Sequence, residues 1–452
     1  MKLLCISNGH GEDAIALRIL LALKQIALKQ ITLKQKRPDI ELFALPISGE
    51  GKTYAGNQIP LIGPTRSLPS GGFLNRDATQ LARDVKQGLI ELTRSQLAAI
   101  KSWSKDGDFV LAVGDIVPLL MAHRSGLPYA FVGTAKSEYW LRDERGKLPG
   151  TGFWHRFEGW SGSVYLPWER WLMKRKRCKG AFVRDKFTAD TLQQMGIPAI
   201  YAGNPMMDGL AQLDRLATVL QPLREVTAIE TQSPEKSKAT ALYVKKQRRN
   251  TMPLTVLLLP GSRLPEAYEN WERILESVSS ACETFRHRAL IFLAAIAPSL
   301  SLEQLQARLL NKGWQLEKEQ PYFTYRYQNL HQNATLLLVN DAFSDCLHES
   351  RIAIATAGTA TEQFVGLGKP AVTLPGEGPQ FTPAFATVQS KMLGPSVQMI
   401  AQPEKAGAVM AKILNDPDLL QLVYQNGKRR MGEAGAGERI AGEVLRVMSG
   451  EW

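Results

Sequence analysis

The 452-residue chain is poor in cysteine: Cys5, Cys178, Cys282 and Cys346 are scattered, with no C-x-x-C spacing. That pattern argues against a zinc module or a disulfide framework and fits a reduced, cytoplasmic compartment. Long apolar runs are also missing, since none reaches the ~20 residues that span a bilayer. The opening Met1-Lys-Leu-Leu-Cys-Ile-Ser7 turns polar too early for a secretory apolar region, so no leader is expected. No cluster of His, Cys, Asp or Glu has metal-ligand spacing, so neither a metal nor another cofactor is expected. No nucleic-acid motif accompanies the basic charge, which makes an RNA or DNA binder the weakest reading.

What the chain does have is bulk. With 44% hydrophobic and 22% charged residues it has a globular composition, and its length points to two domains with separate cores. The net charge of +12 is that of an ordinary basic surface or of one that meets an anionic partner, such as anionic lipid or a phosphorylated substrate.

Short apolar runs alternate with amphipathic stretches. Strands are expected at Lys2–Ile6, Glu41–Leu45, Phe109–Val113, Tyr129–Val132 and Ala199–Ala202, with helices at Asp13–Leu28, Pro118–His123 and Lys186–Met195. The pattern restarts with strands Thr255–Leu259, Leu290–Ala294, Thr335–Val339, Ile352–Ala355 and Ala371–Leu374, helices Glu266–Phe285 and Ser301–Leu310, and helices from Glu404 onward. Alternation of this kind predicts an α/β fold of two doubly wound, Rossmann-like domains facing across a cleft. Residues 1–205 form the first domain and 253–431 the second, and a terminal helix near 432–452 packs back on the first. Residues 206–252 are expected as a linker, because Gln221–Met252 is rich in Thr, Ser, Lys, Glu and Gln. The repeat Leu23-Lys-Gln, Leu28-Lys-Gln, Leu33-Lys-Gln has a spacing of five. Five residues turn a helix about 140° past a full revolution, so these leucines do not share a face.

Three loops carry the chemistry. Asn8-Gly-His-Gly-Glu-Asp13 lies between a strand and a helix, where Gly9 and Gly11 allow positive φ and close approach of a ligand. His10, Glu12 and Asp13 sit beside those glycines. Leu259-Pro-Gly-Ser-Arg263 with Glu266 also turns from strand to helix. There Gly261 and Ser262 offer hydrogen bonds and the Arg263 guanidinium can fork onto a diphosphate. Ala355-Thr-Ala-Gly-Thr-Ala-Thr-Glu362 does the same: Gly358 admits close approach, Thr359 and Thr361 supply hydroxyls, and Glu362 is placed for ribose hydroxyls. A capping box between Thr359 and Glu362 competes with that reading. Gln380 is a further candidate for sugar or phosphate oxygens. Asp115, at the end of a strand, is the first candidate general base and a helix N-cap otherwise. His10, as a neutral imidazole beside Asp13, is the second.

These residues resemble the lipid-A-disaccharide synthase family, inverting GT-B glycosyltransferases that move a diacylated glucosamine from UDP onto a lipid monosaccharide phosphate. Leu259–Arg263 with Glu266 is similar to that family's Pro-Gly-Ser-Arg block. Ala355–Glu362 is similar to its Ser-Gly-Thr-Ala-Thr-Leu-Glu block, with Ala357 in place of Ser. Ala202-Gly-Asn-Pro-Met-Met-Asp208 is similar to its domain-crossing block, with Asn204 in place of His. The resemblance implies that Arg263 and Glu362 hold UDP. The Asn8–Asp13 loop and the single Asp115 depart from the family, which leaves the acceptor open.

Phe153–Lys179 interleaves Trp154, Trp160, Trp168 and Trp171 with a basic run that includes Arg175, Lys176 and Arg177. Tryptophan with Lys and Arg suits a bilayer–water boundary, although a buried aromatic cluster beside a solvated run has the same composition. The expectation is a peripheral membrane transferase with a UDP-sugar donor and a lipid acceptor. The alternatives are a GT-B sugar-nucleotide epimerase, a transferase for soluble acceptors, and a non-catalytic nucleotide-sugar binder.

Overall fold

A computed structural model describes residues 1–9, 11–32, 40–67, 85, 88–150, 153–230, 252–329, 332–376, 378 and 381–450. The chain divides into two compact units, Met1–Gly209 with Met431–Trp452, and Leu210–Arg430.

The first unit is built on β1 (Lys2–Ser7), β2 (Glu41–Pro46), β3 (Phe109–Gly114), β4 (Tyr129–Gly133), the small hairpin β5 (Arg142–Asp143) and β6 (Gly146–Lys147), then β7 (Cys178–Val183) and β8 (Ala199–Ile200). Six of these form one parallel sheet in the order β2-β1-β3-β4-β7-β8. β3 and β4 are buried along their whole length, as strands covered by helices on both faces must be. Cys178–Val183 escaped the sequence reading because Lys179 and Gly180 interrupt its apolar run. The helix Gly11–Thr32 extends beyond both ends of the expected Asp13–Leu28. Within it Leu23 is buried and Leu28 is 54% exposed, which is the rotation that a spacing of five imposes; Leu33 lies outside the described residues.

Asp208 ties the C-terminal helix Ala436–Met448 into this unit. Its carboxylate accepts from the backbone N–H groups of Gly435 (2.6 Å), Ala436 (3.1 Å) and Gly437 (2.7 Å). These are donors that a helix start leaves without intrahelical partners. Gly437 must lack a side chain, because a Cβ there would stand 2.9 Å from Asp208 Oδ2.

The second unit contains β9 (Leu254–Leu259), β10 (Leu290–Ala295), β11 (Trp314–Lys318), β12 (Phe323–Asn329), β13 (Gln332–Val339), β14 (Ile352–Ala355), β15 (Ala371–Thr373) and β16 (Val397–Met399). They form one sheet in the order β11-β12-β13-β10-β9-β14-β15-β16. β11 and β12 are an antiparallel extension that the sequence reading did not anticipate. Their polar–apolar alternation, as in Phe323-Thr-Tyr-Arg-Tyr, leaves no continuous apolar run to mark a buried strand. The helix Glu266–Thr284 buries Ala267, Trp271, Ile274, Leu275, Val278 and Ala281 against the sheet, with Trp271 Nε1 donating to Leu305 O at 3.2 Å.

The expected linker needs correction over its first part. Leu210 onward belongs to the second unit, and Ala217–Glu230 is a helix. Leu216 just before it and Leu220 in its first turn are both buried, and Arg224 pairs with Glu349. Upstream, the buried Asp345 accepts from the N–H groups of Leu213 (2.6 Å), Asp214 (3.2 Å) and Arg215 (2.8 Å). Two leucines at helical spacing outweigh a polar composition. Residues 231–251 lie outside the described ones.

Candidate active site

In the second unit the chain lays β10 and β13 on one side of β9 and then returns to place β14 on the other side. The carboxyl ends of β9 and β14 therefore flank the topological switch point, where open α/β sheets take their ligands. The two loops singled out from the sequence emerge there together. Ala355 pairs with Leu259, and Thr356 donates to Leu259 O through both its backbone N (2.9 Å) and its hydroxyl (3.2 Å). Gly261 turns with φ +93°, a conformation that suits glycine. Asn270 Nδ2 steadies the same loop from below by donating to Pro260 O at 3.3 Å. The buried Gln389 donates to Ala357 O (3.2 Å) and Gly358 O (2.9 Å).

Gly358 is the N-cap of the helix Thr359–Gly366, and no side chain caps it. The Thr359–Glu362 capping box is therefore not formed. Glu362 is buried, with its backbone N donating to Gly358 O at 3.2 Å. Ser262, Arg263 and Thr359 are exposed. Thr361 is a correction: it is fully buried and its hydroxyl donates to Ala357 O at 2.6 Å, so it braces the helix instead of facing a ligand. Gln380 lies outside the described residues. Glu266, which the sequence reading left without a role, accepts from Phe381 N at 2.6 Å and so pins the loop that follows β15.

The first unit repeats the arrangement. β2 lies on one side of β1 and β3 on the other, so the loops after β1 and β3 flank a second switch point. Asn8 and Asp115 join those loops. Asn8 Nδ2 donates to Asp115 Oδ1 (2.9 Å) and Asp115 N donates to Asn8 Oδ1 (2.8 Å). Asp115 Oδ1 also accepts from Val117 N at 2.8 Å, which makes Asp115 the N-cap of Ile116–Arg124. Gly114 is demanded by this lock: a Cβ would collide with Asn8 Oδ1, and its φ is +133°.

Two buried carboxylates sit beside the lock, in the first turn of the helix Gly11–Thr32. Asp13 accepts from Ser7 Oγ (2.6 Å) and Tyr54 OH (3.4 Å); burial pushes it up to about 6, against those hydrogen bonds. Glu12 Oε1 accepts from Thr134 Oγ1 at 3.1 Å. Burial, seconded by the charges of Asp115 and Asp13, pushes Glu12 up to about 7. Ser7, Tyr54 and Thr134 were not found from sequence. Thr134 had a signal, being the first residue past β4; Tyr54 had none. Gly9 has φ +120° as expected, but Gly11 does not use the left-handed region. His10 lies outside the described residues, and so does its pairing with Asp13.

The aromatic–basic segment also belongs to the first unit. On the helices Phe153–Ser161 and Pro167–Met173, Trp160 is 79% exposed and Trp168 and Trp171 are each 49% exposed. Phe157 stacks on both Trp160 (5.8 Å) and Trp168 (6.3 Å). The Arg175 guanidinium lies 3.4 Å above the Trp171 ring. Arg175 and Lys176 are exposed and Arg177 is half-buried. The Trp154 side chain lies outside the described residues. No described helix is long and apolar enough to cross a membrane, and no metal-holding cluster occurs among the described residues.

No family model and no curated protein matches this chain. Solved structures do match it over nearly its full length. UDP-GlcNAc 2-epimerase from Neisseria meningitidis bound to UDP-GlcNAc superposes with a TM-score of 0.51 at 14% identity, covering 99% of this chain and 100% of that one. MurG of Acinetobacter baumannii superposes with a TM-score of 0.51 at 14% identity, covering 99% of each chain. The calicheamicin glycosyltransferase CalG4 gives a TM-score of 0.53 at 14% identity, covering 99% of this chain and 98% of that one. At such identities the likeness defines the fold: this is a GT-B protein with two Rossmann-like domains.

Proposed function

We propose that this chain is an inverting glycosyltransferase that moves a sugar from a UDP-sugar to a lipid acceptor at a membrane surface. The observation that carries the reading is the joining of the Pro260–Arg263 and Thr356–Gly358 loops at the switch point of the second unit, beside a helix start that no side chain caps. A helix start of this kind favours a phosphate. In this reading Gly261, Ser262, Arg263, Gly358 and Thr359 take the diphosphate and Glu362 takes the ribose. Support for a UDP-sugar comes from the N. meningitidis neighbour, which is bound to UDP-GlcNAc. The lipid acceptor is inferred from the exposed tryptophans and the adjacent basic run, a combination suited to an anionic bilayer surface.

The test is ligand-dependent melting. UDP raises the melting temperature of the wild type, and Arg263→Ala and Glu362→Ala each remove the shift. An unchanged shift in both variants refutes the site. The epimerase reading rests on the epimerase neighbour. It predicts that a labelled UDP-sugar returns as its epimer with no label in a lipid extract, whereas transfer puts the label into lipid.

A further inference from the structure

We propose that Gln389 is the positioning residue of the nucleotide site: its side-chain amide turns the two peptide groups around Gly358 so that their N–H bonds face the donor's diphosphate. This inference rests on the nucleotide-sugar reading and lies wholly within the second unit.

Gln389 stands on the helix Pro383–Leu393 and is 2% exposed. Phe385, four residues earlier on the same face, seats that helix on Gly358, where a Cβ would stand 3.5 Å from its ring. Gln389 Nε2 donates to Ala357 O (3.2 Å) and to Gly358 O (2.9 Å). Carbonyl oxygens only accept, so the amide nitrogen must be the end that faces them. In a trans peptide the N–H points opposite to the C=O. Holding both carbonyls on the buried Gln389 therefore aims Gly358 N–H and Thr359 N–H the other way, to the side where Gly358 is half-buried and Thr359 exposed. Neither N–H finds an acceptor among the described residues, and no side chain caps the helix they begin. Two such N–H groups side by side are what an anion takes.

Fold stability does not account for the arrangement. Each carbonyl has a second donor, since Thr361 Oγ1 reaches Ala357 O at 2.6 Å and Glu362 N reaches Gly358 O at 3.2 Å. Neither oxygen would be left bare without Gln389. Gln389 Oε1, in turn, is buried with no hydrogen-bond partner among the described residues, which costs stability. What the amide does achieve is to fix the direction of two backbone donors at the switch point.

The test is calorimetric binding of UDP and of uridine to the full chain, together with melting in the absence of ligand. Gln389→Met keeps the length of the side chain and removes the amide. Without ligand it should melt within about 2 °C of the wild type, because the lost hydrogen bonds are offset by removal of a buried oxygen that has no partner. It should bind UDP about tenfold more weakly, while its affinity for uridine, which carries no phosphate, stays within about twofold of the wild type. Gln389→Glu, whose carboxylate cannot donate and sets a negative charge beside the anion, should bind UDP more weakly still. A purely structural Gln389 would instead lower the melting temperature and weaken uridine and UDP alike. That result overturns the proposal, as does UDP binding within about threefold of the wild type in both variants. A wild type that binds no UDP refutes the nucleotide site itself, on which the inference rests.

Discussion

Holding Glu12 in its buried position costs stability, and the cost has a definite pH dependence. Its carboxyl is raised from an ordinary value of 4.5 to about 7, with burial the first cause. Below 4.5 both the folded and the unfolded chain keep the proton, so nothing is lost. Between 4.5 and 7 the unfolded chain ionises first and binds fewer protons, so stability falls as pH rises; above 7 the loss levels off. A displacement of that size corresponds to about 3 kcal/mol. Glu12→Gln removes the ionisation and leaves an oxygen to accept from Thr134 Oγ1. For a unit of this size about 1 kcal/mol moves the melting temperature by roughly 2–4 °C. The variant should therefore melt roughly 6–12 °C above the wild type at pH 8, and the gap should shrink to about 2 °C at pH 4.5. Thermal melts of both proteins across that range measure it. A variant less stable than the wild type at pH 8, or a gap that does not change with pH, would show that Glu12 is not a buried acid of this kind.

Other parts of the structure make equally concrete demands. Asp208→Ala strips the acceptor from three N–H groups at the start of Ala436–Met448 and should cost about 2 kcal/mol, with Asp208→Asn costing less because one acceptor remains; denaturant midpoints and faster proteolysis near the C-terminus report it. Gly114→Ala drives a methyl into Asn8 Oδ1 at a positive φ, so it should destabilise by about 3 kcal/mol or more, and a wild-type midpoint would contradict the Asn8–Asp115 lock. Liposomes containing anionic lipid should float the wild type, and Trp168→Ala with Trp171→Ala should lose most of that binding. Flotation unaffected by the pair would remove the exposed tryptophans from the membrane reading.

Most strands were legible in the sequence because buried parallel strands are nearly continuous apolar runs, as in Thr255–Leu259 and Phe109–Val113. The reading failed where that signal is diluted. In β7 a lysine and a glycine break the run, and β11 and β12 are half polar because they extend the edge of the sheet. The helix Ala217–Glu230 was hidden by polar composition although Leu216 and Leu220 are buried. Composition averages over a helix, whereas burial acts on one face of it.

The candidate site divides along a similar line. Strand–loop–helix junctions are visible in a sequence, so the loops that meet at each switch point were found. What a side chain does within such a junction depends on partners far away in sequence. Asp115 sits where a base would sit, yet its Oδ1 accepts from Asn8, more than a hundred residues earlier, and from Val117. Glu12 looked like one more polar residue of the Asn8–Asp13 loop. Its altered acidity comes from burial, from Thr134 and from the charges of Asp115 and Asp13, and only the last of these neighbours is close in the chain. Position at a strand end therefore selects a set of residues for chemistry. What each of them does depends on its partners: Asp115 joins the β1 and β3 loops through Asn8 and caps Ile116–Arg124, while burial and like charge raise Glu12 toward neutrality.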